Sequence, residues 1–274
     1  MSLVARLAGA GRTLVPRTTE VDGLRIAWGE AGAGPPIVLV HGLGASGWWW
    51  ERNLPALSAR HRVLVVDLAG FGASRRQPFR LATAGTRLGR WLEAVGAGPA
   101  AVVGHSLGGY VAADLAAERP DLVERLVLVD AAALPLEGPV RGHVRNLLRG
   151  GGRSERALVR IAIVDIARAG PIVIVRAARQ LLASDLSPRL AAIQAPTLVV
   201  WGEEDALIPL SRGRRLAAAI PGARFALIPG AGHAPMWERP DLFDPLVLDF
   251  LGAMRAAPGR GTMASDTKQE EAER

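Results

Sequence analysis

Three observations predict an α/β protein with a mostly parallel sheet, helices on both faces and an inserted helical cap. Short, almost wholly apolar runs recur at residues 37–40, 63–66, 101–103, 126–129, 197–201 and 223–228. Helix-length segments separate most of them, the pattern expected of strands buried on both faces and joined by crossovers. That rhythm breaks between residues 134 and 187, a stretch far longer than a crossover needs. It is expected to form the cap.

In chain order, residues 18–28 alternate polar and apolar around Asp22-Gly23, the strongest short hairpin signal, so two antiparallel edge strands should open the fold. Residues 1–17 are an expected N-terminal extension, frayed or weakly docked. Their apolar stretch is short and interrupted by Arg6 and Arg12, unlike a secretory signal. The core is expected at residues 18–133 and 188–255. Within the 134–187 insertion, Pro139, the glycines at 150–152, Pro171 and Pro188 punctuate two or three short helices. Residues 256–274 are polar and charged, with too little apolar surface to offset ordering entropy, and are expected to be disordered.

Composition narrows the function classes. The 274 residues can bury one large core, and no apolar run reaches the roughly 18 residues of a membrane span. Stable membrane insertion is not expected, and the default expectation is a soluble, cytoplasmic protein. The absence of cysteine removes disulfides, thiol catalysis and thiolate metal sites. The net charge is +7, and every basic residue except Lys268 is arginine. Most arginines are scattered, without the clustering or aromatic context of a nucleic-acid surface, so no nucleic-acid partner is expected. The cap is the exception, with nine arginines against Glu137, Glu155, Asp165 and Asp185. Arg141, Arg145, Arg149 and Arg153 recur there at helical spacing, although glycines at 150–152 interrupt it. A solvated face is the expected reading, with attraction of an anionic substrate or an acidic membrane surface as the alternative.

The most specific motif is Gly104-His105-Ser106-Leu107-Gly108, between the apolar run at 101–103 and an alanine-rich helical pattern. A Gly-x-Ser-x-Gly turn from strand to helix bends sharply enough to lift the serine hydroxyl clear of the sheet. It also puts backbone N–H groups and the positive helix end beside a reacting carbonyl. Ser106 is thus the candidate nucleophile. It needs a base, and that base needs an orienting acid. Of the five histidines, His233 is the candidate, because it lies in the glycine-rich loop Gly230-Ala231-Gly232-His233 after the last apolar run. His41 is better suited to shaping a loop, His105 lies inside the elbow, and His61 and His143 have ordinary surface contexts. The acid is Asp205, directly after the 197–201 run, with Asp130 at the end of the 126–129 run as its rival. Glu203 and Glu204 read as loop carboxylates. The expected oxyanion donors are the backbone amides of Leu107, following the nucleophile, and Leu43, in His41-Gly42-Leu43-Gly44.

These pieces occur in the order of the α/β-hydrolase superfamily, which the chain resembles over about residues 18–254. The resemblance rests on His41-Gly42, Asp67-Leu68-Ala69-Gly70-Phe71-Gly72-Ala73-Ser74, the elbow, Gly202 to Asp205 and Gly232-His233. Ala69 stands where relatives often carry proline. The resemblance implies an α/β-hydrolase fold with an eight-stranded, mostly parallel sheet, a lid over its C-terminal edge, and a Ser106, Asp205, His233 triad that needs neither cofactor nor metal. Superfamily members that cleave carbon–halogen bonds or epoxides carry aspartate at the elbow, so Ser106 argues against both. Esterases, haloperoxidase-like esterases and carbon–carbon bond hydrolases of ring-cleavage pathways all keep serine.

Trp48, in the run Trp48-Trp49-Trp50, and Trp237 are candidates to line a substrate pocket; packing the core is the alternative for each. Val140, Val144, Leu147, Leu148, Leu158, Ile161, Ile163 and Ile166 suggest an apolar underside to the cap and hence a hydrophobic substrate. The expected function is carboxylesterase-like hydrolysis of a small hydrophobic ester through an acyl-enzyme on Ser106. Carbon–carbon bond hydrolysis and a non-catalytic small-molecule receptor are the alternatives, and the sequence sets no oligomeric state.

Overall fold

The computed structural model describes residues 14–135 and 156–252. Eight strands form one sheet: β1 (Val15–Val21), β2 (Leu24–Ala31), β3 (Pro36–Val40), β4 (Arg62–Val66), β5 (Ala100–His105), β6 (Val123–Val129), β7 (Thr197–Gly202) and β8 (Arg224–Ile228). Their order is β1-β2-β4-β3-β5-β6-β7-β8. The β1–β2 and β2–β4 pairs are antiparallel, and every pair from β4 to β8 is parallel. The sheet is the eight-stranded, mostly parallel one expected. Asp22 (φ 52°) and Gly23 (φ 71°) turn the opening hairpin with the left-handed backbone that a two-residue turn needs.

One boundary is corrected. β1 starts at Val15, so the extension expected to run to residue 17 gives its last residues to the sheet. The physical reason is local: Leu14 is buried against Gly29, and Arg17 forms an ion pair with Glu30 on the paired strand. Residues 1–13, the cap segment 136–155 with its four regularly spaced arginines, and the tail from 253 onward lie outside the described residues.

Side chains alternate across each strand, so neighbouring residues serve two cores. Val38, Val40, Leu64, Val66, Val102 and Leu128 pack on one face with α1 (Ala84–Ala94) and α2 (Leu107–Glu118). Ile37, Leu39, Val63, Val65, Val103 and Val127 pack on the other face, where Phe243 and Val247 join them. This double burial explains the near-continuous apolar runs. The described cap is a helical hairpin, α3 (Arg156–Ala169) and α4 (Pro171–Leu182), hinged at Gly170 with φ 83°. Among the described residues, α5 (Leu210–Ala219) follows β7 and α6 (Pro240–Gly252) follows β8. No helix among the described residues is long and apolar enough to cross a membrane.

Candidate active site

Four loops meet at the C-terminal edge of the parallel strands, and the sharpest joins β5 to α2. Ser106 takes φ 53° and ψ −114°, a left-handed backbone that L-residues adopt only when neighbouring contacts enforce it. Its N–H donates to Val129 O at 2.9 Å, and its carbonyl accepts from Ala132 N at 3.0 Å, so the end of β6 and the loop after it clamp the turn on both sides. The flanking glycines are required by space. A Cβ at Gly104 would lie 2.4 Å from the Gly108 carbonyl oxygen, and one at Gly108 would lie 2.5 Å from the carbonyl oxygens of Val40 and His41. Only glycine lets α2 start this close to β3.

Ser106 Oγ lies 3.1 Å from His233 Nε2, to which its hydroxyl donates, and His233 Nδ1–H donates to Asp205 Oδ2 at 2.8 Å. The structure thus brings together the three side chains that the motifs singled out. The Asp205 side chain is fully buried, and its other oxygen accepts from Leu207 N at 2.7 Å and Ile208 N at 3.0 Å. Those bonds fix the carboxylate so that its second oxygen is aimed at the ring.

Asp130, the rival acid, is in the same neighbourhood but in another role. Its Oδ1 accepts from Gly202 N at 2.9 Å, at the end of the strand that leads to Asp205, and Oδ2 has no hydrogen-bond partner among the described residues. Burial, reinforced by the nearby Asp205 carboxylate, pushes the Asp130 carboxyl well above the usual range. Two buried carboxylates side by side cannot both ionise cheaply, and at Asp130 the surroundings disfavour the charged form. Its place in the fold is that of a strut beneath the Asp205 loop, through its bond to Gly202.

The histidine loop is held by residues that sequence reasoning did not single out for this purpose. Glu238 Oε2 accepts from Gly232 N at 2.7 Å and Glu203 Oε2 from Gly230 N at 3.1 Å, while His105 Nε2–H donates to the His233 carbonyl at 2.7 Å. Burial lowers the His105 pKa well below the ordinary histidine value, with the nearby His233 reinforcing it, so this ring stays a neutral donor. Trp49 stacks on it with ring centroids 5.7 Å apart. The signal was present in the second position of the elbow, but a histidine there reads as a spacer until the fold brings residue 233 beside it.

The loop after β3 closes the other side. His41 Nδ1–H donates to Gly42 O at 2.8 Å, and its Nε2 accepts from Leu68 N at 3.1 Å, which ties the loops after β3 and β4 together. That is the loop-shaping use expected for His41. Gly42 lies against the elbow, where an added Cβ would come within 3.2 Å of Ser106 Cβ. Among the described residues, the N–H groups of Leu43 and Leu107 donate to no protein acceptor. Leu107 opens α2, so its amide has no acceptor one turn back.

Two expected pocket residues are placed elsewhere. Trp48 lines a cavity of about 450 Å³ together with Arg17, Trp28, Asp67, Asp165 and Arg168, and no member of the Ser106–His233–Asp205 set lines it. The one-turn helix Gly47–Trp50 turns Trp49, not Trp48, toward His105. Trp237 is 2% exposed and belongs to the core under the sheet, with the Arg52 guanidinium 4.5 Å above its ring. Ile163, expected on the cap's underside, points outward with 63% exposure. Ile174 and Ile166 reach the loop after β3, each with a side-chain carbon 3.1 Å from where a Cβ on Gly44 would stand, while Ile166 stays 44% exposed.

The cap is fastened to the core by Asp165, whose Oδ2 accepts the Ser46 hydroxyl at 2.7 Å, and by Gln180, which accepts from Leu81 N at 2.8 Å. Burial raises the Asp165 pKa to about 6, with the Asp67 charge adding to it and the Ser46 hydrogen bond opposing. An unfolded aspartate titrates near about 3.9. Between these values the folded state binds more protons than the unfolded one, so this group makes stability fall as pH rises through that window. Asp244, raised to about 6 by burial and facing Asn53, acts in the same sense. Asp165→Asn keeps an acceptor for Ser46 and removes the charge. Its melting temperature is therefore expected to fall less between pH 4 and pH 7 than that of the unsubstituted protein; parallel curves would contradict the assignment.

Among the described residues, His105, Asp130 and His233 also place possible ligand atoms within 4.8 Å of one another. Both His233 nitrogens are engaged by Asp205 and Ser106, and His105 Nε2 by a carbonyl, so the cluster reads as the surroundings of the relay and not as a metal centre.

Comparison with known proteins agrees with this geometry. A profile described as "Alpha/beta hydrolase family" matches residues 37–245. "Putative carbamate hydrolase RutD" of Azorhizobium caulinodans is 32% identical over 249 residues, covering 81% of this chain and 92% of the relative. The 2-hydroxy-6-oxo-6-phenylhexa-2,4-dienoate hydrolase of Burkholderia cepacia is 30% identical over 266 residues, covering 84% and 92%. Among solved structures, a thermophilic esterase from Thermogutta terrifontis superposes with a TM-score of 0.74 at 28% identity, covering 88% of this chain and 98% of that one.

Proposed function

The chain belongs to the alpha/beta hydrolase family, and from that premise we propose that it is a serine hydrolase cleaving a carboxylic ester of a small hydrophobic substrate through an acyl-enzyme on Ser106. The observation that carries this reading is the unbroken hydrogen-bond chain from Ser106 Oγ through both nitrogens of His233 to Asp205. The amides of Leu107, next to the nucleophile, and of Leu43, in the loop after β3, donate to no protein acceptor among the described residues and support the same reading.

The chemistry follows from that order. His233 Nε2 takes the Ser106 proton as Oγ bonds to the ester carbonyl carbon, and the carbonyl oxygen gains negative charge facing the Leu43 and Leu107 N–H groups. Collapse breaks the bond to the alkoxy group, which leaves with the proton from His233 as an alcohol. Water then gives His233 a proton and attacks the acyl carbon, and the acid is released as Ser106 recovers its hydrogen. Asp205 stabilises the imidazolium without becoming protonated. Each oxyanion donor is worth about 2.7–4 kcal/mol in such a step.

Ile166 and Ile174, at the loop after β3, favour an apolar acyl group. A panel of aryl esters of increasing acyl length, lactones and a vinylogous diketone tests the reading. Esters are expected to turn over fastest. Faster cleavage of the diketone would assign the site to carbon–carbon bond hydrolysis. Ligand binding without product from any member would favour the non-catalytic receptor.

A further inference from the structure

The cap has a second face, turned away from the site. On α3, Arg160, Ile163, Val164 and Ala167 are exposed at spacings of three and four, which aligns them along one side of the helix. On α4, Ile172, Val175, Arg176 and Arg179 repeat the arrangement. Ile163 and Ile172 are 63% and 65% exposed, on a cap whose inward face already has its own apolar contacts. Between residues 157 and 182 the sole acid is Asp165, and it is buried against Ser46. The outer face therefore combines β-branched apolar side chains with cations of one sign and no exposed carboxylate.

We propose that this outer face of the α3–α4 hairpin docks on an anionic lipid surface. Each component has a counterpart there. Isoleucine and valine enter the boundary between headgroups and acyl chains, and guanidinium groups pair with lipid phosphates while their stems cover apolar surface. Contact with the same face of a second copy would set arginine against arginine, and a polyanion without an apolar layer would leave the isoleucines in water. The opposite side of the hairpin rests on Gly44 and Gly70, in the loops after β3 and β4. Docking would then hold the mouth of the site at the layer into which hydrophobic esters partition. The surface is peripheral and requires no spanning helix.

The test uses the full-length Ser106→Ala protein, so that binding is read without turnover, with phosphatidylcholine vesicles containing or lacking phosphatidylglycerol. Co-sedimentation is expected with the anionic vesicles and should weaken as salt is raised. Ile163→Ser with Ile172→Ser, and separately Arg176→Glu with Arg179→Glu, should each lower the partition coefficient by about tenfold or more. The same pairs placed in the unsubstituted protein should retain its circular dichroism and its turnover of a water-soluble ester. Absence of binding to anionic vesicles, or binding unchanged in both paired variants, overturns the proposal. So does a dimer, seen by light scattering, that the isoleucine substitutions abolish while vesicles stay unbound, because the face would then belong to a second copy.

Discussion

Ser106→Ala is expected to lower kcat/KM for an aryl ester by roughly four to six orders of magnitude, the loss typical when the nucleophile of such a relay is removed. The fold should survive. Alanine is smaller than serine, the serine hydroxyl's hydrogen bond is to His233, and the backbone bonds to Val129 and Ala132 that hold the elbow remain available. A fluorophosphonate should attach to Ser106 in the unsubstituted protein and leave the variant unlabelled, as read by intact mass and peptide mapping. Undiminished ester hydrolysis by Ser106→Ala would place the chemistry elsewhere.

The second large effect separates the two aspartates. Asp205→Asn should cost about 10⁴-fold in kcat, because an amide can present N–H to His233 and stabilise the wrong tautomer for accepting the Ser106 proton. Asp130→Asn should cost far less, within about tenfold, since the amide oxygen can still accept from Gly202 and the amide carries no charge at a position whose surroundings already disfavour one. The acid limb of the pH–rate profile should stay where it is in Asp130→Asn. If instead Asp130→Asn is the crippled variant and Asp205→Asn the mild one, their roles are reversed. The distinction is physical: both side chains lie within the same buried corner, but only Asp205 is held by two backbone donors with its second oxygen on the ring.

Much of this was legible along the chain because its signals are local. Apolar runs without alternation predicted strands buried on both faces, and the runs at 37–40 and 63–66 became β3 and β4. The elbow's glycines announced a turn too tight for side chains. Asp205 and His233 were legible through their position just after apolar runs, since parallel strands deliver the residues that follow them to a common edge. What misled were helical and aromatic patterns. The three tryptophans at 48–50 look equivalent in sequence, yet one short helical turn sends Trp48 to a separate cavity, Trp49 onto His105 and Trp50 into the core. Ile163 and Ile166 look equally fit for the cap's underside, and the three-residue step between them does not say which side of the helix meets the core.

By itself the sequence determined the strands, the interrupted rhythm of the cap and the identities of a candidate nucleophile, a candidate base and two candidate acids, because each is written in short-range pattern and backbone sterics. The tertiary structure alone decided which aspartate faces the imidazole, which histidine braces the loop of the other, and which side of the α3–α4 hairpin meets solvent. Those are outcomes of contacts between residues as much as 128 positions apart, as for His105 and His233. Burial and orientation at such contacts depend on how whole elements pack, and no local period encodes that.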